Sequence, residues 1–242
     1  MATLFGSGIK RREDPRLITG TATYTDDVKL PGLLYAAVLR SSYAHAKLTS
    51  VDVARAKRAP GVVATYTGAD LKDKLNTVPC AWNVPNCDLK VPPHPVLATD
   101  KVRYAGDGIA MVVAESRAAA RDALDLIDVD YAALDAVVDP EKATQQGAPQ
   151  LHADVPGNVA FTWKVAGGDA AKAYAEAAVT VEQRILHNRL LPTAMEARAA
   201  CASYNPGTGQ LICWVTSQNP HIHRFLLSVM TKLPEQIGRA HV

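Results

Sequence analysis

Short apolar runs bounded by turn-forming or charged residues recur through the first half of the chain. Residues 32–40, 62–66 and 109–114 have the length and apolar content of buried strands. Residues 101–104 and 128–131 are interpreted as two shorter strands. The pattern therefore predicts a set of strands that ends before residue 140.

Two helices are predicted between these strands, each with a recognisable start. A short helix is predicted over residues 52–59. Asp52 is its possible N-cap, because its carboxylate can accept hydrogen bonds from early backbone N–H groups, and Pro60-Gly61 ends the helix. Ser116 is expected to cap a helix that runs through Ile127 with an apolar face. This mixture of helices and strands predicts a compact α+β unit that ends near residue 140.

A long irregular loop interrupts the predicted unit at residues 75–98. It contains five prolines as well as Cys80 and Cys87. Long loops inside regular regions are often functional or lie against a neighbour. The spacing of the two cysteines matches no common metal motif, so we interpret them as free thiols.

The pattern changes after a polar, glycine- and proline-containing stretch at 141–157, which is interpreted as a linker. Residues 179–186, 196–204 and 210–216 are predicted to be strands, the last two joined by a turn at 205–209. Three consecutive strands favour an antiparallel sheet.

A helix is predicted after the strand at 210–216. Asn219 and Pro220 suit its cap and first turn, and apolar residues follow at helical spacing. The last six residues, 237–242, show neither strand alternation nor a helical face, and they match a translation of a common sequencing adapter. We therefore expect an adapter-derived tail there and a natural gene that continues beyond it.

Composition narrows the function classes. The chain has 242 residues, with 26 Lys and Arg against 24 Asp and Glu, a formal net charge of +2. Such a balance argues against a dedicated nucleic-acid binder, which needs a basic surface. No apolar run approaches the roughly 20 residues of a membrane span, no secretory signal is visible, and four cysteines are too few for a disulfide framework. A cytoplasmic protein is expected.

The candidate site is the predicted junction between strand and helix at residues 216–221. Ser217, Gln218 and Asn219 lie there, and an amide can donate a hydrogen bond to an oxyanion or a metal-bound oxygen. A simple capping turn explains the same residues. His221 and His223 are two residues apart, so on a helix they face different directions and do not share a metal.

Nine stretches of the chain form a specific set through their order and spacing. They are 10–20, 24–32, 40–46, 60–63, 101–106, 129–131, 137–139, 188–198 and 216–221. Together they resemble the molybdenum-binding large subunit of the xanthine dehydrogenase and aldehyde oxidase family, in particular the large chain of aerobic carbon monoxide dehydrogenase. The resemblance covers residues 8–236.

The resemblance implies a fold, a site and cofactors. An N-terminal arm and an α/β hammerhead domain would occupy residues 1–140, and the start of a molybdopterin-binding α+β domain residues 141–236. Gln218 would hydrogen-bond the apical oxygen of molybdenum as the catalytic residue, with Ser217 and Asn219 also near the cofactor. That cofactor would be molybdenum–molybdopterin cytosine dinucleotide, and no protein side chain would ligate the metal.

By this resemblance, the full-length enzyme would oxidise CO or hydroxylate an aldehyde or N-heterocycle with oxygen from water. It passes electrons to an iron–sulfur small subunit and an FAD-binding medium subunit, in a dimer of heterotrimers. The glycine-rich segment, the active-site loop and the catalytic glutamate of the family would lie beyond residue 242. We therefore expect the chain alone to be inactive and to bind no molybdopterin tightly.

Two other function classes stay open from the residues alone. The first is a non-catalytic docking or assembly module with the hammerhead fold. The second is an unrelated hydrolase that uses His221 or His223 with an Asp or Ser.

Overall fold

The computed structural model describes residues 5–82 and 85–235, together with the backbone of 238–241. The chain divides into two compact units. One unit contains residues 34–193 and 229–232, and we call it the central unit. The other contains residues 1–33, 194–228 and 233–242, and we call it the terminal unit.

The first sheet of the central unit has an apolar strand in its middle. Its strands are β1 (Tyr35–Arg40), β3 (Val62–Thr67) and β5 (Gly108–Ala114), in the order β1-β5-β3 with both pairs antiparallel. Most of β5 is buried because its apolar residues are covered on both faces. The predictions for these three strands are confirmed.

A second sheet of the central unit has the order β4-β2-β6, again antiparallel. Its strands are β2 (Ala46–Asp52), β4 (Lys101–Val102) and β6 (Asp128–Ala133). Strands β4 and β6 were predicted, whereas β2 was not. Strand β2 escaped prediction because it is mostly exposed: among its residues only Ala46 is buried, and the apolar alternation is weak.

Short helices cover the first sheet and complete its core. They are α2 (Ala54–Lys57), α3 (Gly68–Leu71) and α4 (Arg117–Leu124). Ser116 caps α4 as predicted, because its side chain accepts a hydrogen bond from the Ala119 N–H at 3.1 Å. The helix ends at Leu124 rather than Ile127. Ala120 and Ala123 of α4 are buried, and Ala123 packs with Val112 of β5.

The segment predicted as a linker has a defined structure. Helix α5 (Pro140–Ala143) begins with Asp139, whose carboxylate accepts N–H hydrogen bonds from Glu141 and Lys142. Asn158 has a left-handed backbone (φ 57°), and its amide bonds the carbonyl groups of Ala143 and Pro149 at 2.9 Å. These bonds fold residues 139–158 into one turn-rich loop.

The prediction of a strand at residues 179–186 is wrong. The structure has helix α6 (Ala170–Glu176) followed by irregular, exposed chain, and it gives Val179–Leu186 no strand partner in the part of the chain that it describes. Apolar alternation alone did not produce a strand here, because a strand also needs a neighbour for its backbone N–H and C=O groups.

The terminal unit contains a hairpin and residues 220–228 of the longest helix among the described residues, whose last three residues belong to the central unit. After α1 (Asp14–Ile18), strands β7 (Ala200–Asn205) and β8 (Gln210–Val215) pair antiparallel, and α7 (Pro220–Thr231) begins at Pro220 as predicted. Asn205 closes the hairpin turn, since its side-chain oxygen accepts the N–H of Gly207 at 2.9 Å.

Two expectations for the end of the chain are corrected. The backbone of Gly238–His241 forms a strand, β9, although the sequence shows no strand pattern there. It pairs with β8 in parallel, so the third strand of this sheet is β9 rather than 179–186, and the sheet is mixed rather than antiparallel. Residues 236, 237 and 242 of that region lie outside the described residues.

Candidate functional site

Thr216 fixes the chain at the point where β8 gives way to α7. Its backbone N–H donates to the Ala199 carbonyl at 3.2 Å, and its hydroxyl accepts the Ala199 N–H at the same distance. The hydroxyl also lies 3.2 Å from the Ala197 carbonyl, to which it can donate. These bonds hold the residues that follow β8 against the chain that precedes β7.

Glu196 joins this junction to the N-terminal part of the terminal unit. Its Oε1 accepts the Thr25 N–H at 3.1 Å and lies 3.4 Å from the Thr216 hydroxyl oxygen. From the sequence, Glu196 was only the start of a predicted strand and a member of a matching stretch. No spacing rule links positions 25, 196 and 216, so only the fold reveals this contact.

Ser217 and Asn219 form a capping turn at the start of α7. The Ser217 hydroxyl accepts the Asn219 N–H at 2.9 Å, and the Asn219 carbonyl accepts the His223 N–H at 3.0 Å. The Ser217 hydroxyl and the backbone groups of Asn219 therefore serve the start of the helix, as the simpler interpretation of this segment required.

Gln218 is exposed, and among the described residues the structure gives its side-chain amide no hydrogen-bond partner. The side-chain amide of Asn219 is likewise exposed and has no recorded hydrogen bond in that part of the chain. The Gln218 amide is thus an uncharged donor and acceptor that is free to meet another molecule, on a backbone that the bond between Ser217 and Asn219 spans. No second functional group is brought to it by a contact that the structure records within the terminal unit.

The two histidines of α7 occupy different environments. His221 is exposed, whereas His223 is half-buried with its Nδ1 buried and without a partner among the described residues. The structure records no hydrogen bond from either ring to an Asp, Glu or Ser in the region it describes. Nothing here supports the hydrolase hypothesis.

The metal-binding side chains and thiols of the described residues form no further site. In residues 5–82 and 85–235, no group of three or more His, Cys, Asp or Glu side chains could hold a metal ion. All four cysteines are free thiols, and burial raises the pKa of Cys213 on β8. Among the described helices, none is long and apolar enough to cross a membrane.

Two family descriptions match the chain, one after the other. Residues 19–135 match "Aldehyde oxidase and xanthine dehydrogenase, a/b hammerhead domain", and residues 151–241 match "Molybdopterin cofactor-binding domain". The chain belongs to the aldehyde oxidase and xanthine dehydrogenase family. The family resemblance and the α+β fold class inferred from the sequence are confirmed, and Ser217, Gln218 and Asn219 lie in the part that matches a cofactor-binding domain.

Similar proteins of this family are large subunits of oxidoreductases. The carbon monoxide dehydrogenase large chain of Afipia carboxidovorans is 37% identical over 96% of this chain and 30% of its own length. The nicotine 6-hydroxylase large subunit of Paenarthrobacter nicotinovorans is 34% identical over 96% of this chain and 28% of its own. This chain therefore spans less than a third of the length of these relatives.

The fold agrees with solved structures of the family. The crystal structure of quinoline 2-oxidoreductase from Pseudomonas putida 86 superposes with a TM-score of 0.88 at 35% identity. The superposition covers 98% of this chain and 30% of that one.

Proposed function

We propose that this chain is part of the large subunit of a molybdopterin-dependent hydroxylase, and that Gln218 is the residue through which it acts on the cofactor. The observation that carries the role of Gln218 is its exposed, unpartnered amide within the cofactor-binding match. The names of the aligned relatives, which describe dehydrogenases and hydroxylases, support the reaction class.

The residues of the junction fit such a group. When bound, molybdopterin supplies a molybdenum centre that takes two electrons from the substrate. Gln218 donates its amide N–H toward the cofactor, and an uncharged donor suits an acceptor whose charge changes during turnover. Ser217 and Asn219 hold the backbone on either side of Gln218, and Thr216 with Glu196 fixes the end of β8. A preorganised donor needs no rearrangement when the cofactor binds.

The remaining features follow from the relatives. We infer that the cofactor is the cytosine dinucleotide form and that the substrate is CO, an aldehyde or an N-heterocycle. Iron–sulfur and FAD subunits take the electrons, in a cytoplasmic dimer of heterotrimers. Support comes from relatives named as large chains or as a subunit of a complex, which implies smaller partner chains. We also propose a domain boundary near residue 140, which falls between the two family matches.

The non-catalytic docking module is not favoured. The relatives that align with more than nine-tenths of this chain carry the names of enzymes, and the cofactor-binding match covers the part that a pure docking domain would not need.

The test compares two glutamine substitutions in the full-length subunit, assembled with its partner chains. Gln218→Ala removes the free amide, whereas Gln210→Ala removes an exposed glutamine at the other end of β8. Loss of one preorganised donor lowers turnover about a hundredfold in comparable sites. We expect Q218A to show that loss in dye-linked oxidation, while Q210A retains turnover and both retain the fold.

Molybdenum content is the second measurement, because it separates cofactor binding from turnover. A fall in content with Q218A assigns the amide to holding the cofactor, and unchanged content with lower turnover assigns it to the reaction. Wild-type content together with wild-type turnover in Q218A would remove Gln218 from the site.

A further inference from the structure

A cavity of about 310 Å³ is lined by residues of the central unit, none of which belongs to the Thr216–His221 segment. Its walls come from α3 and the turn after it, from the irregular loop at residues 75–98, which we call the proline-rich loop, and the residues just after it, and from the turn at His152–Asp154. Small-molecule sites in proteins have volumes of roughly 300–1,000 Å³. The cavity is therefore large enough for a ligand of one or two rings.

The walls of the cavity are mostly apolar, which favours a flat hydrocarbon body. Apolar side chains, chiefly leucine and proline, provide most of the wall, and polar side chains such as Asn76, Thr77 and Thr99 complete it. The apolar residues that line it are Leu71, Leu75, Pro93, Pro95, Val96 and Leu97.

Arg103 is the polar group of this cavity that the fold leaves incompletely bonded. Its Nε is buried and has no hydrogen-bond partner in the described part of the chain. Its Nη1 donates to the Lys101 carbonyl at 3.3 Å and lies 3.8 Å from Oδ1 of Asp100, whose side chain is 66% exposed. A guanidinium remains charged in proteins, and the Arg103 side chain, which lines the cavity, is still 23% exposed.

His152 is a second polar group at the cavity, and unlike Arg103 it carries no permanent charge. It lines this cavity and an adjoining one of about 50 Å³, as do Arg103, Pro93 and Pro95. Burial and then the charge of Arg103 lower the pKa of His152, so the imidazole is neutral at neutral pH. Lys72 adds a positive charge at the cavity, and Asp100 and Asp154 add negative ones.

We propose that this cavity binds a small aromatic carboxylate, with the ring against the leucine and proline walls and the carboxylate on Arg103. A carboxylate can accept hydrogen bonds from the accessible N–H groups of the Arg103 guanidinium, and arginine–carboxylate pairs are among the stronger hydrogen-bonded contacts in proteins. The ring accounts for the apolar walls. This binding site is independent of the function proposed for Gln218.

Benzoate is the probe, and benzyl alcohol is the uncharged control of the same size. Titration calorimetry on the 242-residue chain is expected to show saturable benzoate binding. Arg103→Gln removes the charge and should weaken benzoate binding about tenfold or more, which corresponds to about 1.4 kcal/mol. Binding of benzyl alcohol should change less than twofold. Arg55→Gln is the matched control, because Arg55 is an exposed arginine paired with Asp128 and does not line the cavity.

A second variant keeps the proposal testable if R103Q does not fold. Ala153 is an exposed residue at the cavity, so Ala153→Trp can fill the space without disturbing the core. It should abolish binding of both probes. Bound benzoate should also raise the pKa of His152, measured by NMR titration of its ring protons. Absence of saturable benzoate binding to the wild type, or equal benzoate affinity in R103Q or A153W, would overturn the proposal.

Discussion

Asp70 holds the start of α3 through one carboxylate oxygen. Its Oδ2 accepts hydrogen bonds from the Thr67 hydroxyl and from the Thr67 backbone N–H, both at 2.7 Å. The side-chain bond first, and then the backbone bond, lower the pKa of Asp70 below its ordinary value of 3.8. The ionised carboxylate therefore stabilises the folded state more than the protonated acid does.

This shift gives a direction for the effect of pH on stability. Because the folded-state pKa is depressed, the contribution of Asp70 is fully present above pH 3.8 and is lost as the pH falls through the lowered pKa. Asp70→Ala should reduce the free energy of unfolding at neutral pH, and its deficit relative to wild type should shrink in acid. Urea unfolding across this pH range measures both effects. Asp73→Ala, a nearby exposed aspartate, is the control, and a deficit for D70A that stays constant with pH would contradict the assignment.

Some single residues could be interpreted from the sequence because their partners are close in the chain. Ser116 caps α4 across three residues, as expected from general cap preferences. Asp52 does accept the Ala54 N–H at 2.8 Å, but it ends β2, and the residue at the N-cap of α2 is Val53. Glu196 was missed because its partners Thr25 and Thr216 are far away in sequence. Local hydrogen bonds leave a sequence pattern, and distant ones do not. The role of Gln218 stays a prediction.

Helix α3 packs so closely on the proline-rich loop that its first residue must be glycine. A Cβ on Gly68 would overlap the Ala98 carbonyl and would lie 2.9 Å from the Leu97 carbonyl oxygen. Both obstacles are backbone atoms, so no side-chain movement relieves them. The absence of a side chain at position 68 thus sets the distance between α3 and the loop.

Gly68→Ala is accordingly expected to destabilise the chain by about 2 kcal/mol or more, as overpacking in a tight contact does. Gly167→Ala is the matched control, since a Cβ there meets no atom within 4 Å. The control should change stability by no more than about 1 kcal/mol. Thermal or urea unfolding compares the two, and equal midpoints would show that the loop can move away from α3.

The elements predicted well are those whose burial makes them uniformly apolar. Strand β5 is buried along most of its length, and α7 carries an apolar face that the sequence shows directly. Strand β2 was missed because most of its side chains are partly or fully exposed. The strand predicted at 179–186 failed for the opposite reason, since alternation was present and a pairing partner was not.

The chain as a whole exposes a long apolar segment. Between residues 159 and 191, large apolar side chains are open to water, among them Val181 at 84% and Leu190 at 87% exposed. Monomeric proteins rarely expose contiguous apolar patches of more than a few hundred Å². We call residues 159–191 the apolar segment.

The apolar segment should make the 242-residue chain self-associate and bind a hydrophobic dye. The double variant Val181→Lys with Leu190→Lys should lower dye fluorescence and shift sedimentation toward the monomer, because it removes apolar surface and adds charge. The double variant Thr180→Lys with Gln183→Lys adds the same charge to exposed polar positions of this segment and leaves its apolar side chains in place. If both pairs reduce association equally, charge repulsion rather than apolar contact is the cause. If only V181K with L190K does so, the exposed apolar side chains drive association. A wild-type chain that stays monomeric and does not increase the fluorescence of the dye would show that these side chains are covered in solution.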